Sequence, residues 1–551
     1  VQVLTRGPVH EAFAATVAFD PQPGVVVARA PPELIEELPP EQRPEGANVA
    51  WIPGYWGWDD ERRDFLWLSG IWRALPPGRQ WVPGYWARSA DGFQWTSGYW
   101  ADAAASEQEY LPQPPESVEA GPNIAAPSAD HVWLPGCWMW HQSRYAWRPG
   151  FWAAVQPDWD WIPPHYVWAP RGYVFVDGYW DYSVGRRGVL FAPVYFDARL
   201  YRRRGFSYSP STVIDLGVFS DHLFWRPNYR HYYFGDYYDP GYSKAGFYAS
   251  YSVYSSRYGY DPIYAHDRWR HRNDRNWERR VEANFHRRRD HEDARPPRTL
   301  AAQRQRLGSG ASREKGLLMA TSLSELAKRT DGPQRFQALG KQERQQIVQR
   351  SQEIEKFRTE RQRLEAADPR AAVGASAKDP QGVERPKMRL PRSPIVARPG
   401  DALGEDQAPP KTHEGPKLDP KVEPRLKKGE GKRELPTGDP RVKKDAPPSP
   451  LPKTDPRLKK SDPPRQLPKA EPRVKKSDPR PEQPKAEPRA KKESQPLQPK
   501  ADPRVKKSEP QRQPPQAEPR EKKSEPRPQP KAEPRGKKSE PQPPPSKAEP
   551  K

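Results

Sequence analysis

Acid–base and metal chemistry need histidine and carboxylate side chains at particular spacings, and in this 551-residue chain they are scattered. His131 and His141 flank one apolar run, and His165 stands where a regular pattern would place an aromatic residue. His222, His231, His266, His271, His286 and His291 lie in basic, tyrosine-rich sequence. No His-Glu-x-x-His, Cys-x-x-Cys or nucleophile-elbow string occurs, and no glycine-rich phosphate loop precedes a helix. His286, Asp290 and His291 are close enough to share a metal, but so arginine-rich a run reads first as a solvated charged face. Asp59-Asp60-Glu61, and Asp158 with Asp160, would offer two carboxylates beside aromatic rings, as glycoside hydrolysis requires. Both fall where inter-strand turns are expected, and turn solvation accounts for them. The single cysteine, Cys137, allows no intrachain disulfide and reads as a packed thiol, since related positions carry Tyr or Phe. The expectation is a protein that is not an enzyme and uses no cofactor or metal.

What is regular is tryptophan. The string Trp-x-x-Gly-x-Trp begins at Trp51, Trp67, Trp81, Trp95, Trp133 and Trp147 and closes at Trp56, Trp72, Trp86, Trp100, Trp138 and Trp152. Its glycines are Gly54, Gly70, Gly84, Gly98, Gly136 and Gly150. Looser copies begin at Trp161, where Pro164 replaces the glycine, and at Phe175, which keeps Gly178 and Trp180. The starts are 14 or 16 residues apart within two blocks, 51–100 and 133–180, joined by a Pro- and Ala-rich linker, 101–130.

Fourteen residues hold one strand and a connection, and aromatic and β-branched residues favour strands. The predicted fold is therefore mainly β: an antiparallel meander sheet, or a small barrel or sandwich, over residues 50–198. The run from Val189 to Phe196 would add one more strand. Two tryptophans five apart fall on opposite faces of a regular strand. Either both faces are aromatic, or a bulge at the Pro-Gly pair restores a single face; the bulge is favoured, because glycine takes unusual dihedrals and lets an indole lie close to the backbone. The glycines are thus structural candidates. The twelve tryptophans of the strict copies are candidates either for core packing or for a solvent-facing ladder that stacks on sugars or bases.

Around this domain, residues 1–49 read as an extended lead-in with one edge strand at most. Residues 199–266 are rich in Tyr and Arg and read as a wrapping or partner-contacting segment. Residues 267–367 read as a basic helical region. It has one amphipathic helix from Asp267 to Asp290, a short helix capped by Ser322 or Ser324, and a longer one from Glu343 to Glu365 that is solvated or weakly coiled-coil. Residues 368–551 read as a disordered Pro/Lys-rich tail. In it Glu/Asp-Pro-Arg recurs every 15 or 16 residues from Glu423, usually leading to paired lysines such as Lys475 and Lys476. From residue 421 onward there are 38 Lys plus Arg against 20 Asp plus Glu, so the tail carries most of the formal net charge of +22. Proline and like charge together oppose compaction.

The partners this composition suits are an acidic envelope polymer, an anionic membrane surface or another envelope protein, with nucleic acid bound only nonspecifically. No run of 18 apolar residues suggests a transmembrane span. The start at Val1 is compatible with a removed signal peptide.

The units at Trp51, Trp81, Trp133 and Trp147 resemble those of the WxxGxW (YxWGxW, BcpO-related) repeat family of predicted exported bacterial proteins, over about residues 50 to 180. The resemblance implies an extracytoplasmic location, in periplasm, cell envelope or medium, and brings no established activity. The reading is a structural or interaction protein of the bacterial cell envelope with an aromatic scaffold and a polycationic tether; the alternative is a glycan- or nucleic-acid-binding module using exposed tryptophans.

Overall fold

Successive tryptophan units fold in pairs, each pair making one long β-hairpin. In the first hairpin, Tyr55–Asp59 pairs with Asp64–Leu68 near the tip, and Val49–Ile52 pairs with Ile71–Ala74 near the base. Three more hairpins repeat this arrangement. The second pairs Tyr85–Ser89 with Gly92–Thr96 and Arg79–Val82 with Tyr99–Asp102. The third pairs Cys137–His141 with Arg144–Arg148 and His131–Leu134 with Phe151–Ala154. The fourth pairs His165–Ala169 with Gly172–Val176 and Trp159–Ile162 with Tyr179–Tyr182. At the third tip Gln142 and Ser143 both have positive φ, 48° and 63°, as a two-residue type I′ turn requires. A meander would also pair the second unit with the third. Instead Pro76 and Pro77, which have no N–H to give a ladder, separate the first two hairpins.

The computed structural model describes residues 1–254, 258–308, 318–330, 332, 334–366, 387–389 and 392–397. All belong to one compact unit within Val1–Gly431; residues 432–551, with Lys475 and Lys476, lie outside the described residues. Among the described residues no sheet exceeds four strands and none closes on itself. The expected meander, barrel or sandwich therefore gives way to a mixed fold of several small, mostly antiparallel sheets with helices. The physical reason is the interruption at the Pro-Gly and Ser-Gly pairs, or at Pro163-Pro164 and Asp177-Gly178 in the fourth hairpin, which splits every hairpin into two short ladders; in the first, these take different neighbours. The first hairpin's base strand Ile71–Ala74 adds Gly188–Leu190, whereas its tip strand Asp64–Leu68 adds Val194–Tyr195. The single strand expected over Val189 to Phe196 is thus two strands in two sheets.

The interruption is not a bulge. Trp51 faces Trp72 and Trp56 faces Trp67 in one continuous register, with two residues skipped on each side, so no extra residue enters either strand. None of the seven repeat glycines has positive φ. The two tryptophans of a unit consequently point to opposite faces. Trp51 and Trp72 pack with Val189, Phe191 and Val213, while Trp56 and Trp67 pack with Val27, Val194 and Phe196. The favoured one-faced sheet is corrected to a two-faced one.

Residues 1–49 contribute far more than one edge strand. Gln2–Val3, Gly7–Pro8, Val17–Ala18, Val26–Val27, Glu36–Glu37 and Gln42–Pro44 each pair with a distant strand, and Ala12 and Phe13 are fully buried. The Tyr/Arg-rich segment is core as well as surface. Leu223–Arg226 and His231–Phe234 form the middle of a four-stranded sheet whose Phe224, Trp225, Tyr232 and Tyr233 are buried.

The helix expected from Asp267 to Asp290 is two helices, Pro262–Arg270 and Trp277–Asp290. The first begins early because Pro262 sits at its first position and the Asp261 carboxylate caps Ile263 and Tyr264. Ser322 caps Leu323–Lys328 by accepting from the Glu325 amide. Lys341–Ala366 is neither solvated nor coiled-coil: it buries Ile347, Ile354, Phe357, Arg361 and Glu365 against the hairpins. Within the expected tail, Lys387–Met388 pairs with Gln108–Glu109, and Ile395 is buried. No described helix is long and apolar enough to cross a membrane.

Candidate functional site

The site is built at the hairpin interruptions, where strand pairing leaves backbone groups unused. Glu37 reaches into the first interruption and accepts from the Gly54 amide at 2.7 Å, the Gly70 amide at 3.0 Å and the Trp67 indole N–H at 3.0 Å. Glu11 does the same in the second, accepting from Trp95 Nε1 and the Gly98 amide, both at 2.9 Å. Glu119 accepts from Trp133 Nε1 at 3.0 Å and from the Gly136 amide in the third. In the fourth, the Gly178 amide donates to the adjacent Asp177, and Pro164 offers no amide. Burial pushes the Glu37 carboxyl up to about 7, against the opposing pull of its three donors.

Glycine is required here for space. A methyl group added at Gly70, Gly98 or Gly150 would come within 2.5 to 2.6 Å of the indole of Trp51, Trp81 or Trp133. The facing indoles meet edge-on or tilted, with centroids 5.2 Å apart for Trp51–Trp72 and 5.5 Å for Trp133–Trp152.

The twelve strict-repeat tryptophans do not form one exposed row. Trp51, Trp56, Trp67, Trp72, Trp81, Trp95 and Trp100 are buried, and Trp86 is half-buried against Phe65. Only the third hairpin is open: Trp138, Trp147 and Trp152 are half-buried, although Trp133 is not. Over it runs the linker. Trp138 Nε1 donates to the Glu116 carbonyl at 3.0 Å, Trp152 Nε1 to the Ile124 carbonyl at 2.9 Å, and the Tyr145 hydroxyl to the Pro112 carbonyl.

A second feature invisible in the sequence is a buried charge cluster. Asp160 and Asp181 face each other across the base of the fourth hairpin, an arrangement unfavourable by itself. Arg73 binds both Asp181 oxygens at 2.6 Å, and Arg187 bridges Asp160 at 2.7 Å and Asp181 at 3.2 Å. His266 binds Asp160; burial disfavours its charge, but the Asp160 carboxylate outweighs that and raises its pKa. Arg73 and Arg187 also donate to the carbonyls of Ala12 and Phe13, which locks the N-terminal segment onto the fold. Asp160 is therefore a buried strand residue rather than a turn carboxylate; Asp158 is exposed beside Arg186. The Lys341–Ala366 helix similarly sends Arg361 to the carbonyls of Pro83 and Ser97 and Glu365 to the hydroxyls of Tyr85 and Tyr110.

Cys137 is buried, and burial pushes its thiol up to about 12, which suits packing rather than nucleophilic attack. Among the described residues no group of three His, Cys, Asp or Glu side chains could hold a metal ion. One groove of about 320 Å3 lies between the third hairpin and the two basic helices, bordered by Trp152, Trp269, Arg268, Arg272, Asp274 and Glu278.

Sequence reasoning passed over Glu11, Glu37 and Glu119. For two of them a partial signal existed: Pro-Pro-Glu stands at residues 31–33 and 114–116, ahead of the two blocks, although it also stands at 39–41. No family model, curated protein or solved structure matches this chain.

Proposed function

We propose that this chain is a non-catalytic interaction protein of the bacterial cell envelope, whose tryptophan hairpins form a rigid body and whose polycationic tail holds acidic polymers or surfaces without sequence selectivity. One observation carries the reading: the repeat indoles of the first two hairpins are packed in cross-strand pairs, and some spend their N–H groups on acceptors inside the chain. Such indoles build a scaffold and are not free to bind. The envelope placement rests on the family resemblance and on the suitability of a polycation for acidic wall and membrane polymers.

The test is cosedimentation of the full chain with anionic and zwitterionic vesicles and with an acidic polysaccharide, at low and high salt, beside fractionation of the native cell. Binding to every polyanion that fades at high salt is expected. Salt-independent binding, or recovery of the chain from the cytoplasm, would count against it.

A second reading, a glycan- or nucleic-acid-binding module, keeps support only at the third hairpin, from the groove beside Trp152 and Trp269. Asp274 and Glu278 stand among its arginines, which suits a hydroxyl-rich glycan better than a phosphate backbone. Titration with neutral oligosaccharides against single-stranded oligonucleotides, followed by tryptophan emission, separates the two.

A further inference from the structure

Two hairpins hold the same kind of guest. Across the first lie Pro31, Pro32 and Glu33, leading to Glu37; across the third lie Pro114, Pro115 and Glu116, leading to Glu119. In both, the carbonyl of the glutamate after Pro-Pro accepts from the closing tryptophan of the hairpin's first unit, Trp56 or Trp138, at 3.0 Å. In both, the later carboxylate takes the amide of that unit's glycine, Gly54 or Gly136, together with one indole N–H, of Trp67 or Trp133. What the hairpin reads is therefore a backbone carbonyl and, three or four residues on, a carboxylate. Prolines before the carbonyl stiffen the guest and lower the entropy lost when it docks. Aromatic grooves that grip proline-rich strands through indole donors use the same physics.

The two guests are held unequally. Glu37 is buried, and Glu36–Glu37 is also a strand paired with Ser207–Tyr208. Residues 112–130 join no sheet, and Val118 and Ile124 are 58% and 65% exposed. The third guest is fixed by side-chain and indole contacts at the surface, the kind that a competing strand can replace one for one.

We propose that the third hairpin is an exchangeable receptor for an extended partner segment carrying Pro-Pro-Glu and a second glutamate three residues later, and that linker residues 112–124 occupy it in the free chain. This deepens the interaction-protein reading and rests on it, by naming the chemistry of one partner.

The test uses the full chain and a fluorescent peptide of residues 111–125, read by anisotropy. The wild-type chain binds it weakly, because its own tethered guest competes at an effective concentration on the order of millimolar. Glu119→Gln, which loosens the tethered guest, is expected to raise peptide affinity at least tenfold, and a peptide with Gln at the clamp position loses that gain. A chain carrying Pro114→Gly and Pro115→Gly keeps the clamp but softens the guest, and gains several-fold; it decides the question if Glu119→Gln does not fold. No gain in a variant whose circular dichroism and tryptophan emission match wild type, or equal binding of the Glu and Gln peptides, would overturn the inference. Salt-sensitive binding of acidic polysaccharide, measured on the same samples, separates this failure from failure of the broader reading.

Discussion

The first and third hairpins share a motif, a register and a glutamate clamp, yet they differ in what lies over them. The first is overlaid by the N-terminal segment, the Gly188–Leu190 and Val194–Tyr195 strands and the second hairpin, so all four of its repeat indoles are buried. The third has a proline-rich linker on it and two helices beside it, and three of its four repeat indoles are half-exposed. The motif therefore specifies a kinked, two-faced hairpin, while its neighbours make that hairpin core or surface.

Tryptophan truncation should widen this contrast most. Trp72→Ala removes a side chain that is 1% exposed and is expected to cost about 3 to 5 kcal/mol in urea unfolding, whereas Trp152→Ala should cost about half as much or less. Equal losses would mean that the third hairpin is as deeply integrated as the first.

The next largest effect is electrostatic. The folded-state pKa of Glu37 lies above its ordinary value of 4.5, at about 7, so the folded chain holds the extra proton between those values. The sign follows: Glu37's contribution is fully present below about pH 4.5 and is lost as pH rises through 7, an effect of about 3 kcal/mol. Glu37→Gln should flatten that part of the stability profile, measured by urea midpoints across the range. An unchanged profile would show that the three donors, rather than burial, govern this carboxyl.

Glycine substitutions come third. Gly98→Ala forces a methyl against the buried Trp81 and the carbonyl of the buried Val82 and is expected to cost about 2 to 3 kcal/mol. Gly150→Ala meets Trp133 just as closely, but the open third hairpin can yield, so about 1 kcal/mol is expected. Thermal melts of the two variants check this difference. The smallest effect is on the tail: Lys475→Ala with Lys476→Ala should reduce the salt slope of acidic-polymer binding by less than about 2 and leave tryptophan emission unchanged.

Much of the local structure could be read from the sequence. The odd spacing between Trp51 and Trp56 posed the choice between a bulge and two aromatic faces, and the strand content of each unit followed from its residues. The repeat glycines do let an indole approach closely, but they take none of the unusual dihedrals expected of them. The clamp was legible only in outline, through Pro-Pro-Glu strings, because Glu37 and Glu119 are recognised by groups 14 or more residues away.

The sequence by itself determined which residues kink and pair, since proline, glycine and tryptophan act on backbone geometry within a few residues. Only the tertiary structure decided which of those hairpins is core. Burial depends on strands and carboxylates drawn from residues 1–49, 101–130 and 188–195, and ladders made from backbone groups leave little trace in side-chain pattern. It likewise placed Asp160, Asp181, Arg73 and Arg187 in one buried cluster, where each charge is tolerable because the others are within hydrogen-bond reach.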